Sequence, residues 1–135
     1  MVHMTIVRNS HGEGKTTTTG ASKGTFTGSV YLDRIHTDES VGIYNVNFTP
    51  CSRTFWHRHE KGQLLRVVAG SGFICDKGGE RQRISVGDVV WCPPGTVHWH
   101  GADDGSYMVH MAVSYGKTEW FEEVTESEFN KSNSG

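Results

Sequence analysis

The stretch 56-WHRHEKGQLLRVVAGSG-72 sets two histidines, His57 and His59, one residue apart, with Gln63 four positions beyond the second. Side chains of a β-strand alternate between its two faces, so residues two apart point together. In "RTFWHRH" (53–59) this parity puts Arg53, Phe55, His57 and His59 on one face, and in "QLLRVVAG" (63–70) it groups Gln63, Leu65 and Val67. If the Phe55 face is the core, both imidazoles point inward. A lone HxH pair on a strand is decoration as often as ligation, so its meaning depends on what converges with it.

Outward from this stretch the chain reads as short strands separated by turn signals. "VGIYNVNF" (41–48) alternates, with Tyr44, Val46 and Phe48 on one side. "GSGFIC" (70–75), "QRISV" (82–86), "DVVWC" (88–92), "VHWHG" (97–101) and "SYMVHMAVSY" (106–115) follow. Seventeen glycines against three prolines suit tight hairpins. Eight or more short antiparallel strands in about 100 residues predict an all-β sandwich or barrel. Only "TESEFNK" (125–131) reads as helical, with Thr125 as its cap and Glu128 closing a capping box. Residues 1–24 are polar and rich in Gly, Thr and Ser. They are expected to form a flexible N-terminal arm without a core, or a strand added to a partner. Residues 25–131 are expected to be the folded domain and 132–135 a disordered tail. His3 and His11, in the arm, are not counted as ligands.

A chain of 135 residues with a formal net charge of −2 favours one domain and offers no basic face for nucleic acid. No apolar run approaches the roughly 20 residues that a membrane helix needs. The three cysteines, Cys51, Cys75 and Cys92, form no CxxC pair. A sparse, odd set implies reduced thiols and a cytoplasmic protein.

A second cluster gives the first its meaning. "GDVVWCPPGTVHWHGA" (87–102) reads as strand, Pro-Gly turn and strand, with His98 at the start of the second strand. Two imidazoles from one hairpin and one from another can converge on a single ion inside a barrel, and neutral imidazole is the commonest ligand of first-row metals. His100 shares the parity of His98 and is expected to face the same cavity, as a donor behind the ligands or a core histidine. His110 stands between Met108 and Ala112, a polar ring among apolar neighbours. Cys92 reads as a small core residue and His36 as a solvated loop residue. Trp56, Trp91 and Trp99, of opposite parity to the histidines, are expected to pack outside the barrel or against a partner subunit. Trp120 is expected to dock the C-terminal segment.

These two clusters resemble the paired motifs of a small single-domain cupin. His57, His59 and Gly70 match the first motif, and Gly87, Pro93, Gly95 and His98 the second. Pro50-Cys51 stands where the first motif opens on glycine, and Gln63 where it carries glutamate. The stretch 87–102, His110 and "KTEWFEEVTESEF" (117–129) are further similar to manganese- or iron-binding cupins with hydroxynitrile lyase activity. That group is linked to carboxymuconolactone decarboxylases. The resemblance runs from about Gly24 to Lys131. It implies an antiparallel jelly-roll β-barrel with a short C-terminal helix and one divalent metal held by His57, His59, Gln63 and His98. Manganese or iron comes first, and nickel, cobalt or zinc suits the same donors. It also implies a histidine in catalysis at position 110.

Three imidazoles and an amide oxygen are all neutral, so a divalent ion among them keeps its full +2 charge and is a stronger Lewis acid than one bound to glutamate. This favours lyase, hydrolytic or isomerase chemistry on a small organic substrate, for example C–C cleavage of a cyanohydrin-like molecule. A dioxygenase or oxidative decarboxylase using the same ion is the alternative, and a non-catalytic ligand-binding cupin a second one. No Asp or Glu is expected at an inward strand position near the ligands, which leaves His110 as the expected general base and His100 as the next. Tyr44, Val46, Phe48, Leu65 and Met108 are expected as apolar walls of the substrate pocket. Trp56, Trp91, Val68 and Leu64 would be left on an exposed outer face, which implies a homodimer or homotetramer.

Overall fold

The computed structural model describes residues 3–8, 16–19 and 24–131. Its strands are β1 (Thr16–Thr19), β2 (Phe26–Thr27), β3 (Val30–Thr37), β4 (Val41–Phe48), β5 (Arg53–Thr54), β6 (His57–His59), β7 (Gln63–Asp76), β8 (Gln82–Ser85), β9 (Val89–Cys92), β10 (His98–Ala102), β11 (Met108–Tyr115) and β12 (Thr118–Trp120), followed by the helix α1 (Glu126–Phe129). All pairings are antiparallel, and the order β1-β3-β4-β11-β7-β10-β5-β2 wraps into the nearly closed jelly-roll barrel that the sequence implied. β6 pairs with β10 and β12, while β8 and β9 both pair with β7.

The two strands expected at 63–70 and 70–75 are one strand of 14 residues serving both sheets. Its first half pairs with β9 and β11, its second with β8 and β10. Ala69 lies opposite Val109 and Val67 opposite His110, so Val68 is the extra residue of a β-bulge. A bulge bends its strand and shifts its parity. Before it, Leu65 and Val67 enter the barrel core; beyond it, Phe73 and Cys75 enter a second core, while Ile74 packs on the first. Gly70, two residues past the bulge, takes a φ of +70° and lets the chain pass against the backbone of Tyr107, where a Cβ would overlap the Tyr107 carbonyl.

The first core fills the barrel with Val30, Val46, Phe48, Leu65, Val67 and Met108 among others. The second lies outside it, where Trp56, Phe73 and Trp99 are covered by Val124 and Phe129 of the C-terminal segment. The capping box of Thr125 and Glu128 forms as expected and delivers Phe129 to this core. Arg53 ties the segment down: it donates to the Val124 carbonyl from Nε at 3.2 Å and Nη2 at 3.0 Å, and its guanidinium lies 4.6 Å from the Phe129 ring centre.

Several expectations are corrected here. Arg53 does not share a face with His57. The chain leaves the ladder at Phe55 and Trp56, between β5 and β6, so Thr54 lines the cavity and Arg53 turns to the outer core. Trp56 and Trp99 do pack outside the barrel, but their own C-terminal segment covers them, leaving 4% and 1% exposed, so Trp56 is not on an open face. Trp91 and Val68 do stay exposed, at 52% and 47%. His36 belongs to β3 rather than a loop, and its Nε2 lies 3.0 Å from Asp38 Oδ2. Within the expected arm, Thr16–Thr19 pair with Val30–Asp33 of the same chain. His11 and the tail at 132–135 lie outside the described residues. Among the described residues no helix is long and apolar enough to cross a membrane.

Gly70→Ala combines backbone strain with a backbone overlap and should cost about 2–4 kcal/mol, lowering the melting temperature by roughly 10 °C. Gly95→Ala, at a φ of +78° but with nothing within 4 Å of the new Cβ, carries the strain without the overlap and should melt well above it. Calorimetry on the two variants checks the ranking.

Candidate metal centre

Four elements build the site. β6 and β10 are paired so that His57 lies opposite His98. The β6 alternation buries His57 and His59 and exposes Arg58. β10 is buried along its whole length because it is covered on both sides: His98 and His100 face inward, while Trp99 faces the outer core. β7 supplies Gln63 and β11 supplies His110, both buried.

The ring of His57 lies 4.3 Å from that of His98 and 5.0 Å from that of His59, with His59 and His98 5.7 Å apart. His100 lies 5.1 Å from His57 and 5.4 Å from His98. His110 stands next to it, at 4.7 Å. The donor atoms of His57, His98 and His100 all lie within 4.8 Å of one another and could hold a metal ion.

The far nitrogen of each ring decides what its near nitrogen can do. His57 Nδ1 donates to the Phe55 carbonyl at 2.9 Å, and His98 Nδ1 to the Thr96 carbonyl at 3.0 Å. His59 Nδ1 is bonded to the Thr118 hydroxyl at 3.0 Å. A neutral imidazole whose proton sits on Nδ1 leaves a bare lone pair on Nε2, and that is the arrangement metal-binding histidines adopt. His100 differs, because its Nδ1 pairs with His110 Nε2 at 3.0 Å, one imidazole against another.

The histidines are held neutral. Burial lowers His57 and His100 well below the ordinary value of 6.5, with neighbouring imidazoles pushing the same way. Burial first, then His98, takes His59 down to about 4, and burial likewise lowers His98. His110, fully enclosed, falls to about 4 by burial. Cys92 is driven up to about 12 by burial and remains a thiol of the core.

Gln63 stands against this cluster. Its Nε2 donates to Ser114 Oγ at 2.9 Å, which turns its Oε1 toward His98 Nε2, 3.2 Å away. With His98 protonated on Nδ1, both of these atoms present lone pairs. Two facing acceptors repel, and a cation between or beside them removes the conflict. His59 Nε2 is likewise buried with no partner. Orphaned acceptors with tethered far sides fit a divalent metal.

The site borders a cavity of ≈ 650 Å³. Tyr44 and Val46 line it, as expected, together with His57, His59, Gln63, His100 and His110. Phe48, Leu65 and Met108, expected as walls, are instead packed in the barrel core. Their inward parity was right, but the barrel is filled at that end. Phe48 sets its ring 5.2 Å from His110 and 6.0 Å from His100, buttressing the pair from behind. Phe26, Leu32 and Trp120 take their place as cavity walls. Trp120, expected to dock the C-terminal segment, stacks on His57 at 4.6 Å and 30°. Thr118 and Ser114 carry no reading from the sequence; for Thr118 the alternation in "TEW" is the available signal. Asp38 is the single carboxylate lining the cavity among the described residues. Asp103 is occupied by Arg83, which holds its carboxyl down to about 2.

The cupin domain family model matches residues 45–114. The chain is 39% identical over 113 residues to (R)-mandelonitrile lyase of Granulicella tundricola, a match covering 78% of this chain and 86% of the lyase. It is 35% identical over 80 residues to gentisate 1,2 dioxygenase 1 of Aquipseudomonas alcaligenes, covering 59% of this chain and 22% of the dioxygenase. A solved cupin-like protein from Thermotoga maritima is 40% identical, with a TM-score of 0.80 over 86% of this chain and 92% of that one.

The lowered histidines fix how acid acts on the metal-free protein. Each binds its proton less readily folded than unfolded, so the unfolded chain takes up more protons as pH falls from 6.5 toward about 4. Stability should be fully present above pH 6.5 and decline through that window. A urea midpoint that stayed flat from pH 7 to pH 4 would contradict the neutral cluster.

Proposed function

The chain belongs to the cupin family, and on that premise we propose that it is a mononuclear metal-dependent lyase cleaving a C–C bond in a small cyanohydrin-like substrate. His57, His59, Gln63 and His98 hold the metal, manganese or iron first and nickel, cobalt or zinc as further candidates. The observation that carries this reading is the all-neutral donor set, with Gln63 Oε1 turned on His98 Nε2. The likeness to a mandelonitrile lyase over most of the chain supports it. A divalent ion bound by these donors keeps its +2 charge and supplies Lewis-acid polarisation of a hydroxyl or carbonyl oxygen.

The remaining work falls to the chain itself. Apolar walls including Leu32, Val46 and Ala112 take the organic part of the substrate and exclude water. His110 and His100 form the base. Their mutual hydrogen bond uses one nitrogen of each, and His110 Nδ1 and His100 Nε2 are both buried without partners. One proton therefore serves the bond between them, and one outer nitrogen is free to accept another. The pair takes the proton of the substrate hydroxyl while the C–C bond breaks. The cyanide carbon departs with the bonding electrons, and the pair returns the proton to it, so the products are a carbonyl compound and hydrogen cyanide. Low basicity keeps the pair unprotonated at neutral pH, ready to accept.

The dioxygenase reading uses the same ligands and is favoured by the match to a gentisate dioxygenase. The glutamine argues against it, because a carboxylate at that position better supports the trivalent state of the metal. Exposed Trp91, Val68 and Val89 support assembly into a homodimer or homotetramer. The three free cysteines support a cytoplasmic location.

Purified with one equivalent of manganese or iron, the protein should release cyanide from mandelonitrile under anaerobic conditions, and His57→Ala and His98→Ala should each lose the metal. Turnover that requires dioxygen would replace the lyase with the oxygenase. His110→Ala should keep the metal and lose about 10²–10⁴-fold in rate, and an unchanged rate would remove this residue from the base.

A further inference from the structure

β12 pairs with β6 so that Thr118 lies opposite His59 and Trp120 opposite His57. We infer that Thr118 and Trp120 are positioning residues for the metal ligands: the Thr118 hydroxyl sets the tautomer and aim of His59, and the Trp120 ring holds that of His57. This rests on the reading of His57 and His59 as ligands.

The three Nδ1 tethers are not alike. Those of His57 and His98 end on backbone carbonyls two residues earlier in their own strands or turns. They come with the local backbone, whatever side chains surround them. The tether of His59 ends on a side chain 59 residues away. With the hydroxyl oxygen accepting from Nδ1, the proton stays there and Nε2 remains bare, and His59 Nε2 is indeed buried without a partner. Without that oxygen, nothing prevents the proton from occupying Nε2, the nitrogen a metal needs. Trp120 acts on the neighbouring ligand by contact. Its ring stacks on His57 at 4.6 Å with an interplanar angle of 30°, and Phe26 braces it from 5.9 Å. His57 is also flanked by the rings of His59, His98 and His100, so the stacked Trp120 ring adds a fourth contact that restrains the imidazole's orientation. A strand of three residues thus addresses both ligands of β6 with its two inward positions.

The test is Mn(II) titration, by calorimetry and electron paramagnetic resonance, of the full-length protein and of Thr118→Val, Thr118→Ser, Trp120→Leu and His98→Ala. Thr118→Val should weaken Mn(II) binding by about 10–100-fold while the metal-free protein melts as wild type does, and Thr118→Ser should restore the affinity. Trp120→Leu should also weaken binding, and the change in tryptophan fluorescence on Mn(II) addition should disappear with it. Wild-type affinity in Thr118→Val overturns the inference, as does a loss that Thr118→Ser fails to restore and that tracks a lowered melting temperature. Should His98→Ala bind Mn(II) as wild type does, the ligand assignment falls and takes the inference with it, a result distinct from failure at Thr118 alone.

Discussion

The structure depends on one strand crossing from one sheet to the other. β7 bulges at Val68 and turns at Gly70, so a single run of backbone closes the barrel on both sides. Its parity shift is what lets Gln63 enter the cavity at one end while Phe73 and Cys75 leave it at the other. Had the strand kept its alternation, the residues after Gly70 would face the wrong core. The close approach to Tyr107 admits no side chain, so this corner requires glycine.

Around that frame the protein concentrates neutral polar atoms in its buried interior. Five buried histidines with lowered proton affinity are a costly way to fill a barrel unless their lone pairs find a partner. Their far nitrogens are anchored on carbonyls and a hydroxyl, and the glutamine amide is anchored on Ser114. Anchoring fixes the direction in which each lone pair points. The pair His100 and His110, anchored on each other, is set apart from this group by the same criterion.

The outer core solves a different problem. β10 must be rigid to hold His98, yet one of its faces lies outside the barrel. The C-terminal segment covers that face with Val124 and Phe129, and Arg53 clamps the cover in place. The capping box at Thr125 starts a helix just long enough to turn Phe129 inward. Stability of this cover and precision of the site are therefore linked through Trp99, which sits between them.

By itself the sequence determined what depends on neighbours along the chain. Period-two alternation placed His57 with His59 and His98 with His100, glycines marked the turns, the resemblance to the cupin motifs implied the barrel, and it singled out Gln63, which the structure brings beside His98. The helix cap at Thr125 was legible for the same reason, since all its partners lie within three residues. Alternation failed where the ladder is interrupted: at Phe55 and Trp56, which sent Arg53 outward, and at Val68. It also could not say how far along each inward face the cavity extends, so Phe48, Leu65 and Met108 were assigned to walls they do not form. Tertiary structure alone decided the pairing of β12 with β6, which brings Thr118 and Trp120 onto His59 and His57 across about sixty residues of chain. Strand alternation is a property of the local backbone, whereas strand partnership is settled by closure of the whole barrel, and no short stretch encodes it.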